Sequence, residues 1–426
     1  MGAEHHFTAG EVDACARRIG IALGLCFFAC YLVIGLFMNL YGFFDTLDVF
    51  SESDIARVVC DMTMFSADHT RTNAHPTFVI FFNPIGVALS KIIGSKPAAA
   101  VIINSIFGGL CVTLAYIFFR RMRLGTLHSL LYSVALGLSA CHLFFGSAPE
   151  THLYSAAGLI ILFLLFISRP GSLKHFVPAG VFHFGVLITN IVPATIVFCC
   201  SLLGEKVKGG LVRRTATFVA LVFTCVLVIA AVQQQVYPTS NPFFIPKELR
   251  NDVSRTTVPG DLRDAAVRFG NVAVYMLTAD IIAPELEVGG MPDGSKPRLT
   301  CNPWSLKPLY LLGSLVMLAL LLWAFHAFLR FRLYRNALMK ALLLLMAFNA
   351  VLYFFYSNHI IFIFTCNWAF VMLVWIALSL QPYCDSSRNA SAASTFLLVA
   401  LIILEAFNNG GFVREVIAVF REHWLS

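Results

Sequence analysis

Residues 19–44 read IGIALGLCFFACYLVIGLFMNLYGFF, and residues 45–76 continue DTLDVFSESDIARVVCDMTMFSADHTRTNAHP. The first stretch carries no charge and is long enough to cross a bilayer, which takes about 20 apolar residues. The second is a polar loop with Asp45, Asp48, Glu52, Asp54, Arg57, Asp61, Asp68, Arg71 and His75. Nearly everything after it is hydrophobic again. An apolar helix, an acidic loop and then a mostly apolar chain predict a helical bundle that displays carboxylates at one membrane surface. Arg17 and Arg18 precede the first run in the manner of a signal peptide. The run is too long for a signal core and lacks a clean cleavage site, so it reads as a retained helix.

Composition sets the class. Of 426 residues, 58% are hydrophobic and 12% charged, with mean hydropathy +0.79. A soluble domain carries about 25% charged residues. The expected fold class is therefore an all-α polytopic membrane protein. The 40 Phe residues suit lipid-facing and helix-packing surfaces. The 12 Cys residues lie mostly inside apolar runs, with no CxxC pair and no Cys/His metal spacing. They read as small buried hydrophobes, and no metal or cofactor is expected. Cys60 and Cys301 alone fall in long polar loops. A disulfide between them is the less favoured of two readings, separate thiols the other.

Apolar runs near 19–42, 97–119, 124–146, 153–168, 176–189, 191–203, 215–236, 308–329, 341–357, 360–381 and 391–407 predict about eleven crossings. The split at residues 189–193 rests on Pro193, which breaks a helix and restricts the residue before it. Residues 77–95 are apolar but interrupted by Asn83, Pro84 and Gly86, and read as a helix at or dipping into the membrane interface. The charge pattern supports that reading. With the N-terminus inside, the inner clusters are Arg17 and Arg18; Arg120, Arg121 and Arg123; Arg169 and Lys174; Lys206, Lys208, Arg213 and Arg214; Arg330, Arg332, Arg335 and Lys340; and Arg388. These hold more than half of the 30 Lys and Arg residues. The acids beside them are Glu4, Glu11, Asp13, Glu205 and Asp385. This is a positive-inside pattern, and a full crossing at 77–95 would invert every later cluster. The expected organisation is an inner N-terminus (1–18), a transmembrane core (19–236) with an acidic outer loop (43–96), an outer segment (237–307), further crossings (308–407) and an outer tail (408–426). Within 237–307, residues 261–268 read as an amphipathic surface helix.

Candidate chemistry gathers on the outer side. Asp54 and Asp61 are seven residues apart and share a helical face with Arg57. Ile55, Val58 and Val59 form the other face, suited to lie on the bilayer. A carboxylate there can take a proton from a hydroxyl, although any single acid in a polar loop is more often just solvated. Arg71 and His75, just ahead of the interfacial segment, suit a lipid-linked phosphate, or anchor the loop. Glu150 and His152, at a mouth between helices, are costly unless paired or wet, and Glu150 also suits a helix cap. Asn190 and His359 complete the binding candidates. A lone His in the position of His359 is more often structural, and His183 and His326 read as packing or snorkelling residues. The chain has no Gly-rich phosphate loop, no GxSxG and no HExxH. Nothing points to nucleic acid.

Several of these stretches resemble the GT-C superfamily of bacterial membrane glycosyltransferases, which use polyprenyl-phosphate sugars. They are Ser53-Asp54, Asp61 to Thr63, Arg71-Thr72, His75-Pro76, His142 to Gly146 and Pro149 to Thr151. The resemblance is specific over about residues 40–200 and weaker beyond, apart from Tyr356 to His359. It implies a GT-C-like bundle with interfacial helices in the first periplasmic loop. It implies a site facing the periplasm of the bacterial inner membrane, with membrane lipids around it. The donor would be a polyprenyl-phosphate-linked monosaccharide, the acceptor a glycan or lipid, and an acid of the first outer loop the catalytic residue. Asp54 is the best match. Relatives often place two adjacent acids there, whereas Asp54 follows Ser53, and the interval to His75 is short. Asp45 and Asp48 therefore stay open as the base. Arg57, Asp61, Arg71, His75, Glu150, His152, Asn190 and His359 would bind phosphate, sugar or acceptor. A lipid or solute transporter, and a lipid-linked glycan polymerase or ligase, are the alternatives. The absence of an inverted repeat and the scarcity of charges within the apolar runs weigh against a transporter.

Overall fold

The computed structural model describes residues 14–40, 42–45, 50, 53–204, 210–241, 243, 253, 255–290, 297–356 and 360–425. Among them are fifteen α-helices and one two-stranded hairpin. Eight helices are long and apolar enough to cross a membrane: α1 (Ala14–Asn39), α4 (Lys96–Arg121), α7 (Thr151–Ser168), α10 (Leu211–Val236), α12 (Pro308–Arg330), α13 (Ala337–Phe355), α14 (Cys366–Ser386) and α15 (Arg388–Leu425). A bent pair, α5 (Thr126–Leu138) and α6 (Ala140–Ser147), meets the same test together. The chain is thus a multi-pass, all-α membrane protein. Shorter helices are α2 (Ile55–Thr63), α3 (Phe78–Ile93), α8 (Leu173–Val186), α9 (Ile191–Gly204) and α11 (Leu262–Val274). Strands β1 (Glu285–Gly290) and β2 (Pro297–Asn302) pair antiparallel, with Leu286 opposite Cys301.

Small residues let α1 and α4 approach closely. A Cβ on Gly109 would collide with the Gly24 carbonyl, and one on Gly24 would meet the Gly109 carbonyl at 2.7 Å. Thr113 donates from Oγ1 to the Gly20 carbonyl across the same seam (3.1 Å). Such seams replace the hydrophobic drive that helices lack in lipid. The Tyr31 ring fills a slot made by Gly108 and Gly146, and its hydroxyl donates to the Gly137 carbonyl (2.7 Å). Gly109→Val is therefore expected to lower the unfolding temperature of the detergent-solubilised protein by several degrees. Gly94→Ala should cost less: its Cβ meets nothing, and its left-handed backbone (φ 77°) is the only penalty.

The α5–α6 bend is 59°. Bending at Ser139 leaves the first amides of α6 without helical acceptors. A peptide from the 237–307 segment supplies them: Ala140 N donates to the Ile281 carbonyl (2.9 Å) and Cys141 N to the Asp280 carbonyl (3.2 Å). Asn409 of α15 closes the same insertion. Its Nδ2 donates to the carbonyls of Leu138 (2.7 Å) and Ile281 (2.8 Å), and its Oδ1 accepts from Ala283 N (2.7 Å). Residues 280–283 are therefore built into the bundle.

The structure bears on several of these expectations and corrects one. The apolar face of α2 does not lie on the bilayer: Ile55, Val58, Val59 and Met62 are all buried in the core, packed towards α3 and α4. Gly86 permits that approach, because a Cβ there would collide with the Met62 carbonyl. The tail expected after residue 407 continues α15 without a break. The chain does break before Pro193, where α8 ends and a 3-10 turn at Ile188–Asn190 leads into α9. Residues 261–268 open α11, with Asp261 Oδ1 accepting from Asp264 N (2.7 Å) as an N-cap. Cys60 and Cys301 are not joined by a disulfide.

Candidate functional site

The loop after α1 is held down at both ends. Asn83 on α3 donates to the carbonyls of Asp61 (2.8 Å) and Met64 (3.1 Å) and so ties off α2. Thr72 Oγ1 donates to the Asn241 carbonyl (2.7 Å), and Thr239 Oγ1 to the Ala67 carbonyl (2.7 Å). Ile188 N donates to the Ala74 carbonyl (2.9 Å) and Thr77 N to the Gly185 carbonyl (3.0 Å). Polar side chains carried on residues 54–75 are thereby fixed in place.

Arg57 is their centre. Its Nη2 meets Asp54 Oδ2 at 3.0 Å and its Nη1 meets Asp61 Oδ2 at 2.5 Å. The i, i+3 and i, i+4 spacing along α2 makes both contacts. Asp61 is 2% exposed, and its other oxygen accepts from His69 Nδ1 at 2.7 Å. Both Asp61 oxygens are thus engaged. Asp54 differs. It precedes α2 yet makes no side-chain capping bond; its carboxylate turns to Arg57 and to Arg71 Nη1 (4.0 Å). Both contacts fall on Oδ2, and its side chain is 29% exposed. His75 donates from Nδ1 to the Val186 carbonyl (2.7 Å), which leaves Nε2 as an acceptor 3.5 Å from Arg57 Nη2.

The electrostatics follow from burial and these pairings. Burial opposes the Asp54 charge, but Arg57 and Arg71 outweigh it and hold the carboxyl below the usual carboxylate range. Burial likewise opposes the Arg57 charge, and Asp54, Asp61 and Glu150 more than restore it. Burial, then Arg57 and Arg71, push His75 well below its ordinary value, so it is neutral. The cluster at neutral pH is an ionised, partly exposed carboxylate between two guanidiniums, beside a neutral imidazole.

Glu150 and His152 join it from the start of α7. Glu150 is the helix cap: Oε1 accepts from Thr151 N (2.7 Å) and Thr151 Oγ1 (2.9 Å). It also lies within electrostatic reach of Asp54 and Arg57. Burial, then Asp54, push its carboxyl up. His152 is buried, with Asn367 Nδ2 3.4 Å from its Nδ1 and the Phe364 ring edge-on at 4.9 Å. Asn190 stands apart. It donates to Ser155 Oγ (2.8 Å) and the His183 carbonyl (2.9 Å). It lines a cavity of about 10 Å³, the scale of one water, with Asn349, Tyr353 and Asn367. Asn367 is the bridge between that cavity and His152.

The structure therefore gathers Asp54, Arg57, Asp61, Arg71, His75, Glu150 and His152, and sets Asn190 one layer deeper. His359 and Asp48 lie outside the described residues, as does the side chain of Asp45. Sequence reasoning missed His69 and Asn367. The signal for His69 was present, a polar residue in the same loop eight positions beyond Asp61. Asn367 sits within an apolar run far along the chain and offered none. The chain matches no family model and no curated protein.

Proposed function

We propose that this protein is a membrane glycosyltransferase of GT-C type, which moves a monosaccharide from a polyprenyl-phosphate donor to a glycan or lipid acceptor. The observation that carries this reading is Asp54. Its carboxylate is ionised, partly exposed and held between Arg57 and Arg71 at the rim of a helical bundle. Glycosyl transfer from a phosphate donor needs a base for the acceptor hydroxyl and a cation for the leaving phosphate. Asp54 serves as the base. Arg71, which faces Asp54 across 4.0 Å, supplies the guanidinium for the phosphate. Arg57 is committed to Asp61 and positions Asp54. Neutral His75 accepts a hydrogen bond at Nε2, and Glu150 and His152 bind sugar or acceptor. Exposed apolar residues on α3, Ile85 and Ile92 among them, suit a helix resting at the lipid interface.

In this reading α8 and α9 are also crossings, which with the nine candidates above makes eleven. The N-terminus is cytoplasmic and the site faces the periplasm of a bacterial inner membrane. A Cys placed at Ser66 should then react with a membrane-impermeant thiol reagent in intact cells, and one at Arg123 should not. Equal labelling of the two would overturn the orientation.

The direct test is turnover. Protein in lipid nanodiscs, given a panel of polyprenyl-phosphate monosaccharides, should release polyprenyl phosphate with at least one donor and a suitable acceptor extract. No release across the panel would count against the reading. Once a donor is known, Arg71→Ala should weaken its apparent affinity by about ten- to a hundredfold, since hydrogen bonds to charged groups are worth roughly 1.5–3 kcal/mol. Arg71→Lys should lose less, keeping the charge but not the two parallel hydrogen bonds. Unchanged donor affinity in Arg71→Ala would shift the phosphate to Arg255, Arg263 or Arg268.

A further inference from the structure

The bend at Ser139 has a second effect. It puts Cys141 and His142 on the first turn of α6, facing Cys366 at the start of α14. Both sulfurs and an imidazole nitrogen lie within 4.8 Å of one another, and all three residues are buried. His142 Nδ1 is 3.4 Å from Cys141 Sγ and 3.2 Å from Ser139 Oγ. The Ser139 hydroxyl proton goes to the Leu136 carbonyl (2.7 Å). His142 Nε2 has no hydrogen-bond partner.

Two buried acids lie near this cluster. Asp280 belongs to the peptide inserted at the bend, and its carbonyl accepts from Cys141 N. Glu405 comes from α15. Both are 0% exposed, and none of their four carboxylate oxygens has a hydrogen-bond partner. Both act electrostatically on Cys141. The Trp368 indole N–H and the amides of Asp280 and Ile281 lie near enough to favour an ionised Asp280, yet no hydrogen bond to it is completed. The groups acting most strongly on these acids and thiols include no lysine or arginine.

Buried carboxyl groups with neither donor nor counter-charge are costly. Beside two thiols and an imidazole they make this buried place favourable to a cation. Thiolate ligands disfavour magnesium and calcium, and two sulfurs with one imidazole are a three-ligand zinc set that leaves the fourth tetrahedral place to water. We propose that Cys141, Cys366 and His142 bind a zinc ion, with a water as its fourth ligand and Asp280, whose carbonyl holds Cys141 N, as an outer partner. Binding releases the two thiol protons to solvent, and no electron moves. The ion would pin α6, α14 and the inserted peptide together. One residue beyond Cys366, Asn367 reaches His152, so the pin also steadies one wall of the candidate site. The proposal does not depend on the glycosyltransferase reading.

The full-length protein, purified in detergent with a non-thiol reductant, should carry about one zinc per chain by elemental analysis. Exchange with Co²⁺ should give a thiolate-to-cobalt absorption band and tetrahedral visible bands. Cys141→Ser and Cys366→Ser should each abolish the band, and Asp280→Asn should weaken Co²⁺ binding by about ten- to a hundredfold. Cys200→Ala, elsewhere in the bundle, should change nothing. Folded wild-type protein with both thiols reduced that takes up neither ion would overturn the proposal, even if the variants fail to fold. So would an unaltered cobalt spectrum in Cys141→Ser, or a native disulfide between Cys141 and Cys366.

Discussion

Asp54→Asn is expected to abolish sugar transfer while leaving the fold and donor binding nearly intact. The substitution keeps the size of the side chain and removes only its charge and proton affinity. Arg57 retains Asp61 at 2.5 Å, so no buried cation is stranded. Loss of a general base costs about 10²–10⁴ in rate. The pH profile gives a second handle. The cations around Asp54 hold its carboxyl below the usual carboxylate range, so it stays charged as pH falls through the ordinary aspartate value of about 3.9. The acid limb of the wild-type rate profile should therefore lie below that value. A fully active Asp54→Asn enzyme, with activity lost instead in Asp45→Asn or Asp48→Asn, would move the base within the loop.

The second large effect is on stability. Arg57→Met should destabilise the protein by about 3–5 kcal/mol, because removing one partner of a buried pair leaves the other charge uncompensated. The stranded group is Asp61, whose side chain is 3% exposed and whose remaining partner is His69. Arg57→Met, Asp61→Leu together should recover much of that loss, since no charge is then left without a partner. Thermal unfolding in detergent would measure it. If the double variant were no better than Arg57→Met alone, Arg57 would act mainly through Asp54. Activity should not recover in either, because Asp54 loses the contact that orients it.

Much of the bundle was legible because a membrane helix announces itself by length and apolarity. The break between α8 and α9 was readable for a local reason: Pro193 suits the first turn of a helix, where its missing N–H has no helical acceptor to lose. The bend at Ser139 was not: Gly137 stands two residues before it, but the amides that the bend frees are satisfied by residues 280–281, far along the chain. The site divides in the same way. Asp54, Arg57 and Asp61 follow from helical spacing, a local rule. Asn367 meets His152 only through tertiary packing, and Cys366 meets Cys141 likewise; no spacing pattern encodes either. The apolar face of α2 shows where sequence misleads. Amphipathicity says that Ile55, Val58 and Val59 are covered, not by what, and α3 and α4 cover them instead of lipid.

The inserted peptide also bears on the order of events during synthesis. Ala283 and Asn409 are 126 positions apart, so the two ends of that contact emerge from the ribosome at well-separated times. Until α15 has been made and threaded into the membrane, the carbonyl of Ile281 and the amide of Ala283 lack the Asn409 amide that completes them. Such long-range contacts form late. The polar segment before α12 must therefore wait, part-docked, through three more helices. The inserted peptide should lock in place only when α15 brings Asn409 onto Ile281 and Ala283, and a nascent chain halted short of α15 should be open to protease along that segment.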